Sequence, residues 1–175
     1  MQAELLFENA GMWIQSQAGQ LFDVALEDGV TARIPDLFQA ETLLIDIGRQ
    51  TQAEAVTGLM LASPLSESVG ATLDYLGVSG LVNAKVQLQI GLKQTGVRAL
   101  GDVEFFANQL HIRAPAVAVE QLQGHLQFDN DKIDSEQLAF VSHGVPLSAV
   151  LHGAQQADGY QVQLKAHGEQ HIDKL

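Results

Sequence analysis

The sequence predicts a mainly β protein, a long antiparallel meander interrupted by one short helical insertion. Three observations carry this. From Gly80 to Leu92, "GLVNAKVQLQIGL" places Val82, Ala84, Val86, Leu88, Ile90 and Leu92 on one parity and Asn83, Lys85, Gln87 and Gln89 on the other. That is the period-2 signature of a half-buried strand. At about 3.3 Å per residue the run extends roughly 40 Å, well beyond the usual ~5–6 residues. Similar runs joined by short turns lie on both sides of it, as expected of sequential antiparallel strands. Between Thr51 and Leu76 the spacing becomes helical.

Taken in order, "AELLFE" and "MWIQSQ" read as strands separated by the turn Asn9-Ala10-Gly11. "QLFDVAL" follows and ends at Asp28-Gly29, a hairpin signal. "VTARI" stops at Pro35-Asp36, and "AETLLIDI" is another apolar run. In the helical stretch, Ala53, Val56, Met60 and Leu61 fall near helical spacing, with Thr51 as N-cap and Glu54 reaching back to it. Ser63-Pro64 ends this helix, and Ser66, Val69, Leu73 and Leu76 outline a second. The apolar stripe reads as core packing and is expected to close one side or end of the sheet. The strands then resume as "VEFFA", "QLHIRA", "VEQLQGHLQFD", "KIDSEQLAFVSH", "VPLSAVLHG" and "GYQVQLKAHG". Asp129-Asn130-Asp131 and Ala157-Asp158-Gly159 supply two of the turns.

With 175 residues, 46% of them hydrophobic and 17% charged, the chain has ample apolar surface for a core and is not disordered. A net charge of −12 argues against a nucleic-acid groove or an anionic membrane surface as partner. The absence of cysteine removes thiol catalysis, disulfides and thiolate metal sites. No run reaches the ~18 consecutive apolar residues of a membrane span, and no basic region precedes an apolar core at the N-terminus. "MQAELLFENAG" starts within a strand-like pattern and "HGEQHIDKL" stops without a turn, so both ends are expected to continue in a longer chain.

Motifs for catalysis are thin. His167 and His171 stand at i, i+4, but in a strand-like stretch and with Gly168 where a zincin has its glutamate. Asp129, Asp131 and Asp134 suggest a calcium loop that lacks its central glycine and terminal glutamate. Ser142-His143-Gly144 is no nucleophile elbow, and no phosphate loop follows a strand. The expectation is a protein that is not an enzyme, with no metal and no cofactor.

"AELLFEN", "GDVEFFAN" and "GHLQFDN" share a small–x–aliphatic–x–Phe pattern that leads into an Asn-containing turn, which suggests a repeated β-unit. "DGVTARIPDL", "AETLLIDIGRQT", the helical "LMLASPLSESVGATLDYLGVSG" running into the long strand, "GVRALGDVEFFANQLHI", "VEQLQGHLQFDNDKI" and "HGVPLSAVLHG" follow in an order that resembles the AsmA-like family of Gram-negative envelope proteins, in its YhdP-like branch. The most specific part is the helical "ASPL" followed by V-x-G and the long alternating strand; G-x-L-x-F and G-x-P…L-x-G elements recur across the family.

The resemblance implies that residues 1–175 are a single fragment of a longer β-groove domain, whose strands curl into an open groove with an apolar inner face. It implies a periplasmic location, a membrane anchor outside this stretch, and phospholipid acyl chains and neighbouring segments of the same chain as partners. Val86, Leu88, Ile90, Phe105, Leu126 and Phe128 are the groove candidates, expected to share one concave face. Alternation alone favours a closed β-sandwich serving as a structural or protein-interaction module, with one face buried by a second sheet. Strand length and the resemblance favour the groove. A carbohydrate- or protein-binding module would call for more exposed aromatics than Trp13 and Tyr160.

Overall fold

A computed structural model describes residues 3–16, 19–21, 24–26, 30–94, 96–112 and 117–168. Twelve strands form one antiparallel sheet whose rows follow the chain. β1 (Ala3–Glu8) pairs with β2 (Gly11–Ser16), then come β5 (Val30–Ile34) and β6 (Thr42–Gln52). Next are β8 (Leu81–Gly91), β9 (Val97–Ile112) and β10 (Val117–Asp129), with the two-residue β7 (Val78–Ser79) on β9. Beyond β10, β11 (Lys132–Asp134) and β12 (Leu138–Ser142) form one broken row, followed by β13 (Val145–Gln156) and β14 (Gly159–Gly168). The predicted meander and the long strand at 80–92 are therefore present. Among the described residues the sheet has no second sheet packed on it as a sandwich would. "QLFDVAL" differs from expectation: among the described residues, β3 (Gly19–Leu21) and β4 (Val24–Leu26) pair with each other and with no other strand. The Asp28-Gly29 turn lies outside the described residues.

Cross-strand partners share a face, so the register sorts the sheet into two surfaces. One row reads Ile47, Val86, Gly101, Phe128, Ile133, Gly153 and Val162. The adjacent row, offset by one residue along the strands, reads Lys85, Asp102, Gln127, Asp134, His152 and Gln163. One face is apolar along the first row, and the other is polar from β8 to β14, with Leu6, Trp13 and Leu44 on it towards β1. Gly101 is required by the close approach of Phe128: a Cβ there would overlap its ring.

"VEFFA" and the described part of "QLHIRA", Gln109–Ile112, belong to a single strand, β9, contrary to the sequence reading. Their alternation is out of phase because Ala107 sits at φ 60° opposite a register shift in β10, where Gln121 has φ 57°. Each bulge adds a residue and returns the apolar side chains to the same face: Val103 and Phe105 before it, Leu110 after it. Conversely, "KIDSEQLAFVSH" is two strands. Ser135 exchanges two bonds with Leu151 at the break, donating its N–H to the Leu151 carbonyl (2.9 Å) and accepting from Leu151 N–H through Oγ (2.8 Å).

The insertion runs through α1 (Ala53–Leu61), a five-residue π-helical turn (Ser66–Gly70) and α2 (Ala71–Leu76). Thr51 is not its N-cap. Thr51 and Gln52 complete β6, and Gln52 occupies the cap position without a side-chain bond. A tertiary contact replaces the capping box, since Ala53 N–H donates to the Gly80 carbonyl (2.9 Å). The inward stripe is Val56, Leu59 and Met60, whereas Leu61 is exposed. Rather than closing an end of the sheet, the insertion lies on the middle of its apolar face. Met60, Leu65, Val69, Leu73 and Leu76 join Val82, Val86, Leu88, Phe105, Leu126, Ile133 and Leu151 in one core.

Candidate functional site: the apolar face of the sheet

The register brings all six predicted groove residues onto one face. Val86, Leu88 and Ile90 alternate along β8; Phe105 lies opposite Val82; Leu126 and Phe128 lie opposite Val103 and Gly101. The insertion separates them into two environments. Val86, Leu88, Phe105, Leu126 and Phe128 are buried, while Ile90, between Leu43 and Val97, is half-buried.

The face continues past the insertion towards β1. Leu88 is in register with Ile45, Ile45 with Ala32, Ala32 with Ile14, and Ile14 with Leu5. Burial falls along this line: Ile45 and Ile14 are half-buried, and Leu5 and its neighbour Phe7 are 55% and 64% exposed. None of the predicted groove residues lies on this flank, although the alternation of "AELLFE" already carries it; the length of the central strand is the louder signal. On the far side Val162 and Leu164 of β14 are likewise exposed on the apolar face.

At the boundary between covered and open surface is a cavity of about 40 Å³. It is lined from above by Leu59, Met60, Pro64 and Leu65 and from below by Leu88 and Val97. Val97, 48% exposed, forms its outer side beside Ile90.

The insertion is anchored at one corner. Asn108, buried just after the β9 bulge, donates through Nδ2 to the carbonyls of Ser79 (3.0 Å) and Leu81 (2.9 Å) and accepts from Phe106 N–H (2.7 Å). Gly77 leaves α2 at φ 57°, and its carbonyl accepts from His111 N–H (3.2 Å). A side chain at Gly77 would press on the His111 carbonyl. On the opposite side of the insertion, the Tyr160 hydroxyl is buried near Thr72, whose own hydroxyl donates to the Ser68 carbonyl (2.9 Å), and has no partner within hydrogen-bond geometry among the described residues. Burial, first of all, raises the Tyr160 pKa above that of a free tyrosine.

The polar face holds mutually paired groups. Gln87 donates to Asp46 (2.6 Å), Asn83 to Glu104 (3.1 Å), and His152 Nδ1 lies 2.6 Å from Asp134. Arg98 donates twice to Asp129 (2.9 and 2.6 Å), which lowers the Asp129 pKa and raises that of Arg98. Of the acidic turn, Asp129 is thus held by Arg98 and Asp134 lies against His152. Ser142 Oγ donates to the Ala118 carbonyl (3.2 Å). His167 is exposed on β14, and His171 lies outside the described residues.

A family model described as YhdP protein matches residues 1–175. Among curated proteins, the intermembrane phospholipid transporter YhdP of Escherichia coli (strain K12) is 34% identical over 165 residues, which make up 94% of this chain and 13% of that protein. The chain therefore spans a small part of the length of this relative. No solved structure gives a significant match.

Proposed function

The chain belongs to the YhdP family, and on that premise we propose that its apolar face holds phospholipid acyl chains as a non-enzymatic segment of a longer periplasmic protein. In this reading it takes part in phospholipid transport between the inner and outer membranes, supports envelope integrity, and relies on a membrane anchor elsewhere in the protein. The observation that carries it is the apolar flank of β1, β2, β5 and β6, where, on the face of Leu88, Ile45 and Ile14 are half-buried and Leu5 and Phe7 exposed. Aliphatic walls suit a sliding chain, since they offer no directional hydrogen bond that would arrest it. Each acyl CH₂ removed from water gains about 0.8 kcal/mol, so roughly a dozen hold a lipid without a polar anchor.

Of the six candidates, Ile90 is the one placed to meet such a chain directly, while the other five lie in the core beneath the insertion. Native mass spectrometry of the natively encoded protein, isolated from cells, tests the reading. Bound phospholipid is expected, together with its loss in a folded Ile90→Asp, Ile45→Asp variant. Protein free of phospholipid, or unchanged occupancy in that variant, refutes it.

A further inference from the structure

We propose that the slot beneath the tip of the insertion is a seat for the end of an acyl chain, and that the insertion is a lid hinged at the corner formed by Gly77 and Gly80. This rests on the lipid reading above and adds a specific place and a moving part to it.

The entry and exit of the insertion meet at the same point: Ala53 N–H binds the Gly80 carbonyl, and Gly77, three residues before Gly80, takes the bond from His111. Asn108 locks the strand on both sides of Gly80 through its two bonds to Ser79 and Leu81. Gly77 and Gly80 both have positive φ, 57° and 97°, in which glycine is the least strained residue. A two-helix unit held at one corner in this way has the geometry of a flap.

Its interior is rigid. A Cβ at Gly70 would lie 3.0 Å from the backbone of Met60 and Leu61, so the two helical arms touch along their main chains. At the tip, Ser63 Oγ donates to the Met60 carbonyl (2.7 Å) and accepts from Leu65 N–H (3.1 Å), and Ser68 Oγ donates to the Leu65 carbonyl (3.3 Å). These bonds close within the insertion, and the tip meets the sheet through Leu59, Met60, Pro64 and Leu65. Tilting the unit therefore breaks apolar contacts at the tip, and those of Met60 and Val69 with the core as it widens, and leaves its internal bonds intact.

The contact at the tip is also the incomplete one. The 40 Å³ cavity lies there, and its walls are almost wholly apolar. A dry apolar void forfeits dispersion contacts and accepts apolar guests. Val97, at its rim, is in register with Ile90, and Ile90 with Leu43, which places the slot one strand from the half-buried part of the face on β6. An acyl chain lying on that flank reaches the slot by its end. Modest lifting of the tip admits the terminal methylenes between Leu65 and Leu88.

The test uses the natively encoded protein in cells. A small diazirine side chain replaces Leu65 in the slot or Ile14 on the open flank, and phospholipid adducts are measured after irradiation. In a second series Pro64→Cys and Val97→Cys are bridged by a short bifunctional thiol reagent, with single-cysteine variants as controls. Adducts are expected at both positions in the unbridged protein. Bridging should lower the Leu65 adduct roughly tenfold by removing a sparsely populated open state, with the Ile14 adduct unchanged. An undiminished Leu65 adduct with the tip bridged overturns the lid. An adduct at Ile14 with none at Leu65 overturns the slot while leaving the lipid reading standing. Adducts at neither position remove the lipid reading and the slot together.

Discussion

Leu88 and Ile90 stand two residues apart on the same face of the same strand, and an aspartate at each should have very different consequences. Leu88 lies between Ile45 and Ala99 across the neighbouring strands, with Leu59 and Met60 above it. The nearby cations Lys85 and Arg98 belong to the opposite face, in the rows of Asp102 and Gln89. In Leu88→Asp, loss of the leucine from the core forfeits about 2–3 kcal/mol of transfer free energy. The carboxyl, buried without a partner, has its pKa raised by roughly 3 units, which costs about 4 kcal/mol more at neutral pH. The sum, about 6 kcal/mol, is comparable with the whole stability of a domain of this size. Ile90 is half-buried next to the exposed Val97, so a carboxylate there stays hydrated and the loss is about 1–2 kcal/mol. Urea denaturation followed by circular dichroism reads the difference. The sign with pH is an independent check. The carboxyl introduced by Leu88→Asp has its pKa raised in the folded state, so its ionisation penalty is absent in acid and grows as pH rises past the ordinary carboxylate range. Equal destabilisation by the two substitutions, to within about 1 kcal/mol, would refute the division of the face into covered and open parts.

Asn108→Ala removes three hydrogen bonds at the buried corner, taking a partner from two carbonyls and an N–H, which should cost about 3 kcal/mol, read as a lowered urea midpoint. Hydrogen exchange should rise across residues 53–80 in the same variant more than in β13. Tyr160 should titrate at higher pH than a free tyrosine, seen as delayed phenolate absorbance. Because its folded pKa is raised, its contribution is intact below the ordinary tyrosine value and is lost as pH rises through the folded one. Tyr160→Phe deletes a buried hydroxyl that has no partner and should leave stability unchanged or slightly improved.

What the sequence made legible was what alternation encodes. Period 2 identified the strands, their order and the shared face of residues as distant as Val86 and Phe128, because side-chain parity is local and neighbouring strands in a meander pair in turn. It failed where parity changes within a strand. At Ala107 and Gln121 nothing marks a bulge, since non-glycine residues hold the left-handed backbone there, and Asn108 fixes that conformation through contacts with Ser79 and Leu81. The Thr51 capping box was a sound local signal overridden by the bond from Ala53 to Gly80. Coverage of the face was not legible either. An apolar stripe on a helix states that it must be buried, but the chain geometry after β6 decides which part of the sheet receives it.

The surfaces left over after that packing point to two different occupants. On the apolar face, Ile45 and Ile90 lie inside the sheet, away from any strand edge, so only something lying on the face itself can cover them. A mobile apolar chain meets that requirement. Leu6 is different: it is 56% exposed on the opposite face, in register with Trp13, Arg33 and Leu44. With Leu5 and Phe7 it makes β1 apolar on both sides, whereas a lipid on one face covers only one side. Among the described residues β1 pairs only with β2, and an edge strand of that kind invites pairing with another strand, which fits the proposed contact with neighbouring segments of the same protein. The two occupants are separable by substitution. Leu6→Glu should weaken assembly at the edge and leave bound phospholipid unchanged, while Ile45→Asp should do the reverse. If both substitutions shed lipid equally, the edge and the face act as one surface and the separate assignment fails.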